Sequence, residues 1–199
     1  MDSTTTYSRG LSASIVGEDD HDVEPIRLLV LARRFASAVF LSSLFGLALG
    51  AREGGMALLT HAAGVPAGLL AVTVLGVPGL YIVLALAGAP LRADGLFDAA
   101  SRASGTAGLV MGGLAPATAM YVVTTQELVV AQGVAAVVLV VAGAIGLRSL
   151  LRSIRRQLDD ADSPVRFVGL LVSLGFAMFG VVLAARVWSS TLTLFAGAS

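Results

Sequence analysis

The sequence predicts an all-α integral membrane protein: a five-helix transmembrane bundle with its amino-terminus in the cytoplasm and its carboxyl-terminus outside. The composition supports this prediction, because 56% of the 199 residues are hydrophobic and only 13% are charged, whereas about a quarter of the residues of a soluble domain are charged. Apolar runs long enough to cross the hydrocarbon as helices also alternate with short segments that hold the arginines. The predicted spans are about residues 35–51, 66–89, 105–123, 128–147 and 165–185.

The chain ahead of the first span is polar and then acidic over residues 1–25. This segment lacks the apolar core of a secretory signal, and its low hydrophobicity predicts a disordered cytoplasmic tail. His21 lies among acidic residues, but their spacing fits no defined calcium or zinc loop, so we expect no metal site there. Residues 26–188 are then expected to form the transmembrane domain, and residues 189–199 a short external tail.

Small residues recur every four positions along the first span, at Ser42, Gly46 and Gly50. They form one smooth stripe on a helix, and such a stripe lets a second helix approach closely. Gly108 and Gly112 form a similar stripe in the third span. We expect both stripes to pack within the chain, with self-association as the alternative.

Residues 54–91 hold no charge and could cross the membrane once or twice. With one crossing, eleven of the thirteen arginines lie on the side of the amino-terminus and two on the other. With two crossings the division becomes five against eight. Because arginine collects on the cytoplasmic side, one crossing is favoured, over about residues 66–89. Residues 56–64 are then expected to form a separate interfacial or re-entrant helix on the outer side.

Two proline-containing segments are expected to interrupt the second and third spans. Pro78 within Gly76–Tyr81, and Pro116 within Gly112–Thr118, each lack the backbone N–H that continues a helix. Broken helices are where transporters place binding sites, so the sequence offers one candidate cavity. Its residues are Pro78, Tyr81, Pro116 and Thr118. The favoured interpretation, however, is a packing kink satisfied by neighbouring helices.

Signals at both ends bound the fourth span. Thr124–Glu127 has the spacing of a capping box, which predicts a tight outer hairpin between spans three and four. Beyond the span, leucine and isoleucine recur at helical spacing over residues 148–158, with arginines between them. This pattern predicts an amphipathic helix that continues into the cytoplasmic headgroup layer.

Four arginines of that amphipathic helix, Arg148, Arg152, Arg155 and Arg156, are the predicted contacts with anionic lipid headgroups. The alternative is a docking site for an acidic cytoplasmic partner. The first interpretation is favoured, since basic residues beside a span are a general signal of orientation.

The sequence offers no candidate catalytic, cofactor-binding or metal-ligating residues. It has no cysteine and two histidines, and it carries no P-loop, GxSxG, HExxH or dinucleotide fingerprint. No basic surface interleaved with aromatic residues predicts binding of nucleic acid. Polar residues inside the spans, such as Thr73 and Ser173, are expected to join helices by hydrogen bonds. We therefore expect the protein not to be an enzyme.

Two functions fit these observations. The first is a non-catalytic accessory, scaffold or regulatory subunit that packs against other membrane proteins. The second is a small transporter or channel for a neutral or lipid-like solute, built on the kinked spans two and three. All thirteen basic residues are arginine, in a chain rich in alanine, glycine and valine, which hints at a bacterial protein of the cytoplasmic (inner) membrane.

Overall fold

The computed structural model describes residues 20–89, 92–158 and 163–191, and these form five helices with short connections. The helices are α1 (Asp20–Gly50), α2 (Gly55–Leu86), α3 (Ala93–Thr124), α4 (Leu128–Gln157) and α5 (Ser163–Thr191). Each contains a stretch long and apolar enough to cross a membrane. The prediction of an all-helical chain with five apolar helices is therefore confirmed. The predicted tails fall largely outside the described residues, although α1 begins at Asp20, ahead of the expected boundary at residue 26.

Helix α1 packs against both α2 and α3, which touch each other only slightly. Helix α4 packs mainly on α3, and α5 mainly on α2, while α4 and α5 make few contacts. Polar contacts define the two ends of the bundle. We call the end where Arg34 pairs with Asp98, and where Gln157 donates to the Gly95 carbonyl, the basic end. At the opposite end Arg52 donates to the backbone carbonyls just after α3.

The predicted small-residue stripes lie at helix contacts within the chain. A Cβ added at Gly46 would meet the backbone of His61, and one at Gly50 would lie 2.7 Å from the Leu58 Cα. A Cβ at Gly108 would lie 2.8 Å from the Ala38 Cα. Backbone therefore meets backbone in the α1–α2 and α1–α3 contacts, which only glycine permits.

The structure differs from the sequence prediction over residues 56–64, which form the first part of α2 rather than a separate helix. Pro66 and Pro78 both lie inside this single helix, and Pro116 lies inside α3. The 32 residues of α2 extend about 48 Å, longer than a hydrocarbon layer of about 30 Å. The close contact of this segment with Gly46 and Gly50 explains why it stays with the bundle.

The predicted capping box is also wrong. Thr124 ends α3, and its hydroxyl donates back to the Met120 and Tyr121 carbonyls. Glu127 is the residue before α4, and it makes no side-chain capping bond. The reason is that Thr124 still belongs to the last turn of α3, so it cannot be the N-cap residue of α4, a position that Glu127 occupies instead.

Residues 148–157 continue α4 as a helix, but their apolar side faces the bundle rather than a membrane surface. Leu150, Ile154 and the following Leu158 are buried against Leu96 of α3 and Leu84 of α2. Together with neighbouring buried residues they form the core of the basic end. A second core, built around residues such as Phe45, Val65, Met111 and Leu139, fills the remainder of the bundle.

Candidate functional site

The packing of the helices leaves an elongated cleft of about 480 Å³ between α2, α3, α4 and α5. It exists because α4 and α5 each pack on a different neighbour and scarcely meet one another. On α4 its wall runs from Ala136 to Leu150, a rise of about 21 Å. The cleft therefore follows the long axis of the bundle through the apolar part of the helices.

Small side chains create the width of the cleft. Alanine or glycine lines it on all four helices, where larger residues would fill the space. These small residues are Gly68 on α2, Ala100, Ala103 and Ala107 on α3, Ala136, Gly143, Ala144 and Gly146 on α4, and Ala177, Gly180, Ala184 and Ala185 on α5.

The basic end of the cleft is closed and one of its sides is open. Beyond Leu150, toward the basic end, the side chains of Ile154 in α4 and of Leu158 just after α4 are buried, and Leu158 reaches the position that a Cβ at Gly169 of α5 would occupy. Along the side, Val140 of α4 and Val181 of α5 both line the cleft and are exposed. The open side thus lies between α4 and α5, on the outer surface of the bundle.

Trp188 closes the cleft toward the opposite end. Its indole Nε1 lies 3.4 Å from the Val65 carbonyl oxygen, to which it donates. The ring occupies the space above Gly68, where a Cβ would lie 2.9 Å from the indole Cδ1. Although a tryptophan at the end of a membrane span commonly lies in the membrane interface, Trp188 is half-buried and ties α5 to α2.

A pair of hydroxyl groups interrupts the apolar wall between the two ends of the cleft, and a third hydroxyl, that of Ser189, lines the end near Trp188 and donates to the Arg186 carbonyl. Thr73 Oγ1 of α2 lies 3.3 Å from Ser104 Oγ of α3, and it also donates to the Leu69 carbonyl at 2.9 Å. Thr73 therefore joins two helices as expected. Ser173, in contrast, donates to the Gly169 carbonyl of its own helix.

Phe176 separates the cleft from a second, open groove of about 390 Å³ on the outside of α2 and α5. Its ring lines both spaces and fills the position that a Cβ at Gly76 would occupy. Gly76, two residues before Pro78 in α2, therefore provides the space that the Phe176 ring occupies. The groove beyond it is shallow and lined by residues such as Leu75, Val83 and Phe179.

The residues of the predicted cavity are not brought together. Pro78 and Pro116 are exposed on two helices that touch only slightly, whereas Tyr81 is half-buried and Thr118 is buried. None of the four lines the cleft. The cleft instead uses a different part of α2, between Gly68 and Val77.

The other predicted site residues occupy two settings. Arg148, Arg152, Arg155 and Arg156 are all exposed on the last turns of α4. The packing residues Ser42, Gly46, Gly50 and Gly108 are buried, and Gly112 is half-buried against Leu41.

Within the described parts of the chain, no cluster of three or more histidine, aspartate or glutamate side chains could hold a metal ion. Comparison of the chain with protein-family models, with curated proteins and with solved structures finds no match.

Proposed function

We propose that this chain is a non-catalytic, five-span membrane protein that binds a lipid-like molecule in the cleft between α2, α3, α4 and α5. The observation that carries the proposal is the cleft: about 480 Å³ of space with an apolar wall and an open side. Sites for small molecules commonly have volumes of about 300–1,000 Å³ and few polar groups. The closed basic end supports binding rather than passage across the membrane.

The shape and lining of the cleft favour an elongated apolar ligand. Its wall rises about 21 Å along α4, and nearly all of the surface that lines it is apolar. An extended hydrocarbon chain matches both this length and this lining.

The distribution of charge supports a cytoplasmic position for the basic end. Among the described side chains, nine arginines and two aspartates lie at that end, against two arginines and two glutamates at the opposite end. The residues of the basic end are Arg33, Arg34, Arg92, Arg102, Arg148, Arg152, Arg155, Arg156 and Arg166, with Asp94 and Asp98. Those of the opposite end are Arg52, Arg186, Glu53 and Glu127. We propose the cytoplasmic membrane of a bacterium as the location.

Two glycines of α4 provide a matched test. An added Cβ at Gly143 or at Gly133 meets no atom within 4 Å, yet only Gly143 lines the cleft. Replacing either glycine by leucine raises the helix propensity by a similar amount. Only Gly143→Leu should fill the cleft.

The experiment is photolabelling of the purified protein in lipid nanodiscs with a fatty-acyl probe that carries a diazirine in its chain. We expect saturable labelling of α2, α4 and α5 in the wild type and in Gly133→Leu, and at least a tenfold loss in Gly143→Leu. Equal labelling of all three proteins contradicts the proposal.

A second candidate function is that of an accessory subunit, which the exposed arginines of α4 favour. Arg148, Arg152, Arg155 and Arg156 present positive charge on a surface that does not line the cleft. Such a surface suits anionic headgroups or an acidic membrane partner. Chemical crosslinking in native membranes tests it: a specific crosslinked protein that disappears when the four arginines are replaced by glutamine supports this role.

A further inference from the structure

The hydroxyl pair in the cleft wall has a defined set of hydrogen-bond roles. Each hydroxyl carries one hydrogen, and that of Thr73 is donated to the Leu69 carbonyl. The contact with Ser104 then requires that the Ser104 hydroxyl donate to Thr73 Oγ1. Both hydrogens are used within the protein, so the lone pairs that remain can only accept. A ligand group recognised by this pair must therefore be a donor.

The position of the Thr73 and Ser104 hydroxyls along the cleft also determines how much of the cleft remains for the hydrocarbon chain of a ligand. Gly146 of α4 meets α3 beside Ser104, since a Cβ at Gly146 would lie 3.0 Å from the Ala103 carbonyl oxygen. From Gly146 the cleft wall of α4 continues to Ala136, a rise of about 15 Å. An extended hydrocarbon advances about 1.3 Å per carbon, from C–C bonds of about 1.5 Å, so the space accepts about twelve carbons.

The wall restricts the charge of the ligand. Every residue that lines the cleft is uncharged. A phosphate, carboxylate or ammonium group placed beside Thr73 and Ser104 would have no counter-ion in the apolar part of the bundle, which is costly. An uncharged donor carries no such cost.

We infer that the ligand of the cleft is a neutral, single-chain lipid bearing a hydroxyl group. The hydroxyl donates to Thr73 or Ser104 near the closed end, and the hydrocarbon chain extends toward Trp188. This inference rests on the proposed function, because it names the class of molecule that the same cleft binds. The ligand enters through the open side between α4 and α5, directly from the hydrocarbon layer.

The preference of the cleft for one lipid over another must come from the hydrogen bond to Thr73 or Ser104. A lipid chain in the membrane is already in an apolar environment, so moving it into the cleft provides little hydrophobic gain. A hydrogen bond formed in apolar surroundings does favour binding. Measured free energies of hydrogen bonds between membrane helices correspond to about a three- to thirtyfold change in affinity. A long-chain alcohol should therefore bind about three- to thirtyfold more tightly than its methyl ether, which cannot donate.

The experiment measures half-saturating concentrations for two photoreactive probes, dodecanol and its methyl ether, each with a diazirine in the chain. The proteins are the wild type, Thr73→Val, Ser104→Ala and the control Thr60→Val, in nanodiscs. Thr60 matches Thr73 because it lies on the same helix and donates to the carbonyl four residues earlier, but it does not line the cleft. Gly143→Leu measures labelling that does not depend on the cleft.

The expected result is a preference for the alcohol in the wild type and in Thr60→Val that is lost in Thr73→Val or in Ser104→Ala, whichever removes the hydroxyl that accepts from the ligand. A preference that is unchanged in both of these variants overturns the assignment to this pair. Equal binding of alcohol and ether in the wild type, with loss of both in Gly143→Leu, overturns the hydroxyl inference while the proposed function stands. Labelling by both probes that is unchanged in Gly143→Leu overturns the proposed function as well. If a hydroxyl variant does not fold, the comparison of alcohol with ether in the wild type still decides whether the ligand must donate.

Discussion

The indole of Trp188 lies over Gly68, and the ring nitrogen donates to the backbone of α2 one turn away, at Val65. The contact joins the last turns of α5 to α2. Since α5 packs mainly on α2 and scarcely on α4, this contact helps to hold the cleft at its present width.

Gly68→Leu should displace the tryptophan and loosen α5. Overpacking of this kind commonly costs about 1–3 kcal/mol. Trp188 is the only tryptophan of the chain, so its fluorescence reports on this site alone. We expect a lower unfolding temperature and stronger quenching by a water-soluble quencher. Gly79→Leu is the control, because a Cβ there meets no atom within 4 Å; equal quenching in both variants would show that Gly68 is not a seat for the ring.

Gly46→Ala should destabilise the protein although alanine favours a helix over glycine. The gain in helix propensity is about 1 kcal/mol, but the new methyl group would collide with the His61 backbone, which cannot rotate away as a side chain can. Gly113→Ala is the comparison, because its Cβ position is open. In detergent, the unfolding temperature of Gly46→Ala should be lower than that of the wild type, and the unfolding temperature of Gly113→Ala should equal or exceed that of the wild type. A stabilised Gly46→Ala would refute the close contact of α1 with α2.

Removal of the carboxylate in Asp98→Asn should have a small, salt-dependent effect on stability. Asp98 accepts hydrogen bonds from Arg34 of α1 and Arg102 of its own helix, and these side chains are 35–56% exposed. Pairs with this much exposure contribute about 0.2–1 kcal/mol each. A double-mutant cycle of Asp98→Asn with Arg34→Gln, followed by chemical unfolding at low and high salt, should give a coupling energy in that range that falls with salt. A coupling above about 3 kcal/mol would mean that the pair is desolvated in the folded protein.

Orientation can be tested with single cysteines, because the chain has none of its own. Ala93 lies at the basic end and Ser190 at the opposite end, and both are exposed, whereas Ser101 is fully buried and would not report. A membrane-impermeant thiol reagent added to intact cells should label Ser190→Cys and leave Ala93→Cys unlabelled until the cells are opened. The reverse pattern would place the arginines outside.

Hydropathy was sufficient to predict five apolar helices, because each run is long enough to satisfy its own backbone hydrogen bonds in lipid. The spacing of Gly46, Gly50 and Gly108 also predicted where helices approach closely. The predicted break between residues 56–64 and the span at residues 66–89 is wrong, because one helix can be longer than the membrane is thick if it tilts or extends beyond the hydrocarbon. Pro66 and Pro78 did not predict an end of the helix, because an α-helix can continue past a residue that lacks a backbone N–H.

The cleft could not be predicted, since it depends on which helices become neighbours. Ala136 and Gly143 of α4, or Ala177 and Gly180 of α5, indicate a smooth helix surface in the sequence. Whether such a surface meets another helix or leaves a gap is decided by the tertiary arrangement. Trp188 illustrates the same limit, because a tryptophan at the end of a span can face either the membrane interface or a neighbouring helix.

Native mass spectrometry of the detergent-extracted protein tests the central claim most directly, because it counts bound molecules without an added probe. The wild type and Gly133→Leu should each retain one neutral lipid per chain, and Gly143→Leu should retain none. Loss of the lipid from Gly133→Leu as readily as from Gly143→Leu, or its retention by all three proteins, would contradict binding in the cleft.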